Sequence, residues 1–267
     1  MNRIRWIARL GSCASLALSL ALMIGLSACG STPKDETAGM SIEKLYAEAK
    51  DEANAGSYEH ALKLYERLEG RAAGTLLSQQ AQLERAYLNF RTGEKAEALA
   101  IVERFIKLHP TSPAFDYALY LQGVINFNDN LGIFGSLANQ DLSERDQQAS
   151  RDSYQSFRQL TDQFPQSKYT PDARIRMRYI LNSLAAYEVH VARYYYRRGA
   201  YVAAVNRAQQ TIQEFQQAPA SEEALALMVR CYDRLGLVQL RDDANRVLRQ
   251  NFPTSSFLAS LPAPARP

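Results

Sequence analysis

Few residues in this 267-residue chain have the type and spacing for chemistry, and most of the combinations fail on inspection. Ser41-Ile42-Glu43-Lys44 has the Ser-x-x-Lys spacing of penicillin-binding enzymes, but neither Lys-Thr-Gly nor Ser-Asp-Asn accompanies it. Ser41 opens an amphipathic stretch, so a helix cap is expected there. His60, His109 and His190 are far apart, have no cysteine neighbours and form no His-Glu-x-x-His, so no zinc site is expected. Asn126, Asn128 and Asn130 before Gly132 approach a calcium loop, yet the glycine falls one place late and position 137, where a bidentate Glu belongs, is Leu. Phosphate-loop and dinucleotide motifs are absent. The reading is of a chain with no catalytic residue, no metal and no cofactor.

One covalent modification does fit. Arg3, Arg5 and Arg9 precede the uncharged apolar run Leu16 to Leu26, the order of a secretory signal. The run falls short of the about 20 apolar residues that cross a bilayer comfortably. Leu26-Ser27-Ala28-Cys29 follows it and resembles a lipobox, after which lipoprotein signal peptidase cuts and at whose cysteine diacylglycerol is attached. The competing reading is an ordinary cleavage site with an incidental cysteine; apolar run, small pair and cysteine in this order favour the lipobox. Cys29 is then the lipidation site and the mature N-terminus; resemblance to lipoproteins also implies a third acyl chain on its amine, and several chains anchor stably where one gives only marginal binding. Gly30 stands where Asp tends to retain such lipoproteins at the inner membrane, so the outer membrane is expected, with the chain facing the periplasm. Cys13 leaves with the signal, and Cys231 stays alone in an apolar stretch, expected in the core.

Removing the three signal arginines from the 31 basic residues leaves 28, equal to the 28 acidic ones. A mature chain without basic excess is not the expected composition of a nucleic-acid or general anionic-lipid binder. Arg174, Arg176 and Arg178 spread around a helix and make no binding stripe.

The elements that carry these residues repeat. Gly56-Ser57-Tyr58-Glu59-His60-Ala61-Leu62, Gly93-Glu94-Lys95-Ala96-Glu97-Ala98-Leu99 and Gly199-Ala200-Tyr201-Val202-Ala203-Ala204-Val205 are glycine turns between amphipathic stretches. Gly56 and Gly93, like Gly199 and Gly236, lie 37 residues apart, near the tetratricopeptide period of about 34. Units close on Leu108-His109-Pro110-Thr111-Ser112, Gln163-Phe164-Pro165-Gln166-Ser167 and Asn251-Phe252-Pro253-Thr254-Ser255, with a degenerate copy at Phe215. Proline ends one helix, and Ser or Thr can cap the next. Leu83, Ala86, Tyr87 and Phe90 share one face, and Ala98, Val102, Phe105 and Ile106 another, which only stacked neighbours can bury. His109, in the place of Phe164 and Phe252, is expected to pack.

The expected fold is all-α, a tetratricopeptide-like α-solenoid of about five helix pairs near 41–70, 77–110, 113–165, 170–217 and 220–252. The expected organisation is a signal peptide over 1–28, a lipidated tether over 29–40, the repeat domain over 41–254 and a tail over 255–267. Two features depart from simple repeats: a long loop from Asn128 to Asp146 and an uninterrupted helix from Pro171 to Arg198. Aligning Ala49, Ala86 and Gly123 as small positions puts Tyr46, Tyr87 and Tyr120 on the inner face, with Phe90, Tyr117 and Phe127 nearby. These rings have two readings, a groove for an extended peptide or packing between neighbouring helices.

Tyr194-Tyr195-Tyr196-Arg197-Arg198-Gly199-Ala200-Tyr201-Val202-Ala203-Ala204-Val205-Asn206-Arg207, with Ser78-Gln79-Gln80-Ala81-Gln82-Leu83 and Arg104-Phe105-Ile106-Lys107-Leu108-His109-Pro110, resembles the BamD (ComL) family of lipoproteins over nearly the whole mature chain. The resemblance implies a non-catalytic subunit of the outer-membrane β-barrel assembly machinery. It implies contacts with the POTRA domains of BamA through the C-terminal repeats, with BamC and other lipoproteins of the complex, and with unfolded outer-membrane β-barrel proteins whose C-terminal strand enters the N-terminal repeats. On this basis Arg197, Arg198, Gly199 and Tyr201 are expected to dock BamA. Two arginines at the carbonyl end of a helix suit the dipole, and a stability role accounts for one more readily than for both. The alternative, a lipoprotein adaptor for cell-wall or division machinery, would show the same repeats without the segment from Arg198 to Arg207.

Overall fold

A computed structural model of the chain describes residues 37, 39–127 and 144–262. The expected signal segment, Cys29, most of the expected tether, and residues 128–143 of the expected long loop lie outside the described residues. The described chain forms α1 (Ile42–Asn54), α2 (Tyr58–Arg71), α3 (Leu76–Arg91), α4 (Lys95–Leu108), α5 (Phe115–Asn126), α6 (Glu144–Gln163), α7 (Thr170–Arg197), α8 (Tyr201–Glu214), α9 (Ala220–Arg234) and α10 (Val238–Asn251). A short 3-10 helix, Ser256–Ser260, follows. Pairs form at the places the repeats predict. Helix α6 starts at Glu144, inside the stretch expected to be loop.

The glycine turns share one geometry. Gly56, Gly93, Gly199 and Gly236 have φ of 84°, 89°, 77° and 71°, a left-handed region that favours glycine. The amide after each glycine reaches five residues back: Ser57 to Glu52 (2.9 Å), Glu94 to Asn89 (2.8 Å), Ala200 to Tyr195 (3.0 Å) and Leu237 to Tyr232 (2.9 Å). These are Schellman C-caps, which satisfy carbonyls the helix end leaves unpaired.

The closing signature is equally regular. His109, Phe164, Phe215 and Phe252 each donate their amide four residues back into the helix they end. The serines that follow do more than cap. Ser112 accepts the Ala114 amide and donates its hydroxyl to Gln79 (2.7 Å), while Ser167 accepts the Tyr169 amide and donates to Asp116 (2.6 Å). Each thereby ties its connector to the first helix of the preceding pair. Ser41 caps α1 by accepting the Lys44 amide at 3.2 Å, which accounts for the Ser-x-x-Lys spacing.

Each helix packs on its neighbours in sequence, and α3 also touches α5 as α7 touches α9. The first helices of the pairs therefore line the inner face of an α-solenoid. Leu45, Ala49, Leu64, Tyr65 and Leu68 fill the first interlayer; Leu83, Ala86, Ile101, Val102, Phe105 and Ile125 fill the next; Leu119, Phe157, Leu160, Ile180 and Leu184 fill the third. The 28-residue α7 begins with Pro171 in its first turn and packs against α6, α8 and α9. Residues 255–262, the described part of the expected tail, pack on the solenoid. Phe257, Leu258 and Leu261 pack on Leu225, Ala226 and Leu248, Arg230 donates to Ser260 (2.8 Å), and Asn245 donates to the Pro262 carbonyl (3.2 Å). Apolar residues here cover α9 and α10.

Candidate functional site

The expected aromatic residues are all half-buried on or beside the inner face. Tyr46 meets Tyr65 edge-on, with centroids 6.1 Å apart. On α3, Gln80, Glu84, Tyr87 and Arg91 recur every three or four residues and form one ridge. Gln80 donates to Glu84 at 2.9 Å, and Arg91 donates to the phenol oxygens of Tyr87 (3.0 Å) and Tyr58 (3.3 Å). Tyr117 and Tyr120 meet on Tyr169, whose ring stacks on Tyr120 at 4.8 Å and lies 5.3 Å from Tyr117. Tyr120 donates to Asp172 (2.8 Å), Arg176 donates to the same carboxylate oxygen (2.6 Å), and the Arg176 guanidinium lies 4.7 Å over the Phe127 ring. Phe90 packs inward against the second interlayer.

Electrostatics tie the two ends of this surface together. Burial raises the Tyr46, Tyr65 and Tyr117 phenols above their usual range, and the Glu84 carboxylate adds to the rise at all three. One acidic side chain on α3 thus acts on rings from α1, α2 and α5. Burial opposes ionisation of Asp172, but the hydrogen bonds from Arg176 and Tyr120 outweigh it and hold that carboxyl below its ordinary value. The rings both pack on the core and keep an exposed edge, so the two readings of the sequence are not exclusive.

At the other end, Arg197, Arg198, Gly199 and Ala200 are exposed. Arg198 donates from Nε to the Tyr194 hydroxyl (3.2 Å), and its guanidinium lies 5.5 Å from that ring. Tyr194 raises the Arg198 pKa. Arg197 has no ion pair or hydrogen bond among the described residues. Tyr201 turns away from Arg198 to pack on Tyr196 (5.6 Å) and under Arg234 (5.9 Å). Arg234 ends α9, so this contact sets the Gly199 and Gly236 turns side by side. Exposed Val202, Leu235, Leu237 and Val238 stand around them.

Elsewhere, polar groups satisfy one another. A hollow of about 520 Å³ on the opposite side of α3 holds Glu69, to which Gln82, Arg85 and Arg104 all donate. His109 packs on Phe105, with centroids 5.1 Å apart, as its place in the closing signature predicts. Cys231 is fully buried, and burial pushes its thiol up to about 11. Among the described residues no three or more His, Cys, Asp or Glu converge as metal ligands.

The model of the YfiO family, described as outer membrane lipoprotein, matches residues 38–247. The outer membrane protein assembly factor BamD of Neisseria meningitidis (serogroup A, strain Z2491) is 47% identical over 248 residues, covering 91% of this chain and 93% of that protein. This chain belongs to the BamD family. BamD of Xylella fastidiosa (Temecula1) is 33% identical over 94% of this chain and 86% of its own length, and that of Vibrio cholerae (El Tor Inaba N16961) 30% over 88% and 95%. The BamD family is thus one of outer-membrane assembly factors, and the chain is associated with the outer membrane. Among solved structures, the TPR2AB domain of yeast Sti1 superposes loosely, with 10% identity, a TM-score of 0.43, and coverage of 81% of this chain and 80% of that one.

Several site residues of this BamD-family chain escape the sequence pattern. Tyr169 occupies a connector position where the preceding unit has Ala114. Asp172 and Arg176 have an i, i+4 spacing that also suits an ordinary surface ion pair. Tyr58 and Arg91 are separated by 33 residues, and only stacking of the pairs joins them. Exposed Leu237 and Val238 have no periodic signal at all.

Proposed function

We propose that the chain is a non-catalytic subunit of the outer-membrane β-barrel assembly complex, lipid-anchored through Cys29 and facing the periplasm. Its Gly199 turn docks on the POTRA domains of BamA, with BamC and other lipoproteins of the complex alongside, and its aromatic inner face receives unfolded barrel proteins. The observation that carries this reading is the paired Gly199 and Gly236 turns. They present Arg197, Arg198 and four exposed apolar side chains together, and a cation beside desolvatable apolar surface is the composition of an interface. Membership of the BamD family supports the partner.

Affinity recovery from detergent-solubilised outer membranes tests the docking. Wild type brings down BamA; Arg197→Glu and Arg198→Glu, unfolding at the wild-type temperature, recover much less. Undiminished recovery by both variants refutes the assignment. Photocrosslinkers at positions 46, 87 and 120 capture a barrel C-terminal peptide but not its scrambled version. Cys29→Ala loses fatty-acid labelling.

A further inference from the structure

Arg91 closes α3 at one end of the aromatic face, and the side chains bonded to it are two phenols and no carboxylate. Two of its five guanidinium N–H groups go to the Tyr87 and Tyr58 oxygens. Each phenol oxygen is thereby engaged as acceptor, which frees its own O–H to donate outward. The guanidinium keeps three further N–H donors, so two hydroxyls and one fork converge without an acceptor. Both rings lie 5.8 Å from the guanidinium carbon and bracket it. Glu59, next to Tyr58 in sequence, is held by Lys63 at 2.8 Å. Tyr87 and Tyr58 raise the Arg91 pKa, and no carboxylate contributes.

The rest of the face is charged differently. Arg176, at its far end, is already neutralised by Asp172, and Glu84 stands between with a negative charge of its own. Lys168, 5.0 Å from the Tyr169 ring, is a point charge, whereas Arg91 presents a planar fork flanked by two hydroxyls. An extended peptide on this surface meets a carboxylate-shaped site at Arg91, repulsion of acid at Glu84, and apolar ring edges beside them. The peptide that answers this pattern is uncharged or apolar along its length and anionic at one terminus.

We propose that Arg91, set by Tyr58 and Tyr87, is the specificity-determining residue that binds the free α-carboxylate of a peptide's C-terminal residue and so fixes the direction of the strand on the inner face. This rests on the reading of the aromatic face as the site for a peptide's C-terminal strand and adds the residue that holds the peptide's end and the group on the peptide that it binds. Charge-assisted bonds from a planar fork are stronger than neutral ones and match a carboxylate in both shape and number of donors.

The test uses the mature chain and a synthetic peptide of alternating apolar and polar residues ending in Phe. The peptide is prepared as free acid, as C-terminal amide, and as an amide with Glu at the penultimate position. The free acid binds wild type roughly tenfold to a hundredfold more tightly than either amide. Arg91→Gln unfolds at the wild-type temperature and binds the acid and the plain amide alike, and Arg91→Lys recovers part of the preference. Equal binding of acid and amide by wild type overturns the proposal, as does an undiminished preference in Arg91→Gln. Recovery of tight binding by the Glu-containing amide overturns the assignment to a terminal carboxylate. Failure of all three peptides to bind overturns the peptide face itself, and the anchor with it.

Discussion

The Phe157 ring lies so close over Gly123 that a β-carbon added there would come within 2.5 Å of it. Phe157, on α6, is itself fully buried and packs among side chains of α5 and α7. Ser153 donates to the Gly123 carbonyl at 2.8 Å, which fixes α6 against this part of α5. Gly123→Ala therefore overpacks the third interlayer, at a cost of about 1–3 kcal/mol. Thermal unfolding followed by circular dichroism should show a midpoint several degrees below wild type. An unchanged midpoint would mean that α6 moves away freely, against the packing described.

That glycine also shows how much of the fold the residues announce. Ala49, Ala86 and Gly123 align by repeat spacing, and all three are buried where a first helix meets its neighbours. The turns and closing signatures were equally legible, because each depends on a local requirement: a left-handed residue, a proline, a hydroxyl. The aromatic set was legible as positions but not as contacts. Nothing local tells that Tyr117 and Tyr120 meet on Tyr169, or that Arg91 lies between rings from different pairs, since such contacts arise from the stacking of pairs. Exposed Val202 and Leu237 are invisible for a related reason: a periodic pattern reports burial in the chain's own core, and these side chains have none there.

The buried carboxylate of Glu188 on α7, 4% exposed, accepts from Arg207 on α8 at 3.1 Å. Removing the arginine leaves a charge in the interior without its partner, whereas removing both charges does not. Because Arg207 is itself partly exposed, Arg207→Ala should cost somewhat less than the roughly 3–5 kcal/mol of a fully buried broken pair. Adding Glu188→Gln to that variant should restore part of the loss. Urea titrations of the two single variants and the double variant give the coupling directly, and strictly additive effects would show that the pair contributes nothing.

Burial raises the Cys231 thiol to about 11 and lifts the Tyr65 and Tyr117 phenols in the same direction. A group whose folded pKa exceeds its unfolded value stabilises the fold below the unfolded pKa and loses that contribution as pH rises through the folded one. For Cys231 the loss starts near its ordinary value of 9 and is complete above about 11. Stability should accordingly fall across pH 9 to 11, and less steeply in Cys231→Ala. The same burial makes the thiol slow toward iodoacetamide at pH 8 until the chain is unfolded in urea. Rapid alkylation of the native chain would contradict the buried position.

The exposed side chains around the C-terminal turns give the sharpest separation of stability from binding. Val202 is 61% exposed and Leu237 44%, and neither belongs to an interlayer of the solenoid. Substitutions at exposed positions away from caps and cores usually change stability by no more than about 0.5 kcal/mol. Leu237 follows Gly236, and its amide makes the Schellman bond to Tyr232, but a backbone bond survives replacement of the side chain. Val202→Asp and Leu237→Asp should therefore unfold within a degree or two of wild type. If the paired turns are the docking surface, each places a carboxylate where apolar area is to be removed from water, beside Arg197 and Arg198, whose charge it would also offset. Loss of a well-buried interface residue costs about 2 kcal/mol or more, so recovery of BamA should fall by more than tenfold in affinity. The same substitution at Ile175, exposed on α7 away from these turns, controls for a general effect of added charge. Recovery reduced equally by all three variants, or by none, would remove the Gly236 turn from the interface and leave the arginines to account for docking alone.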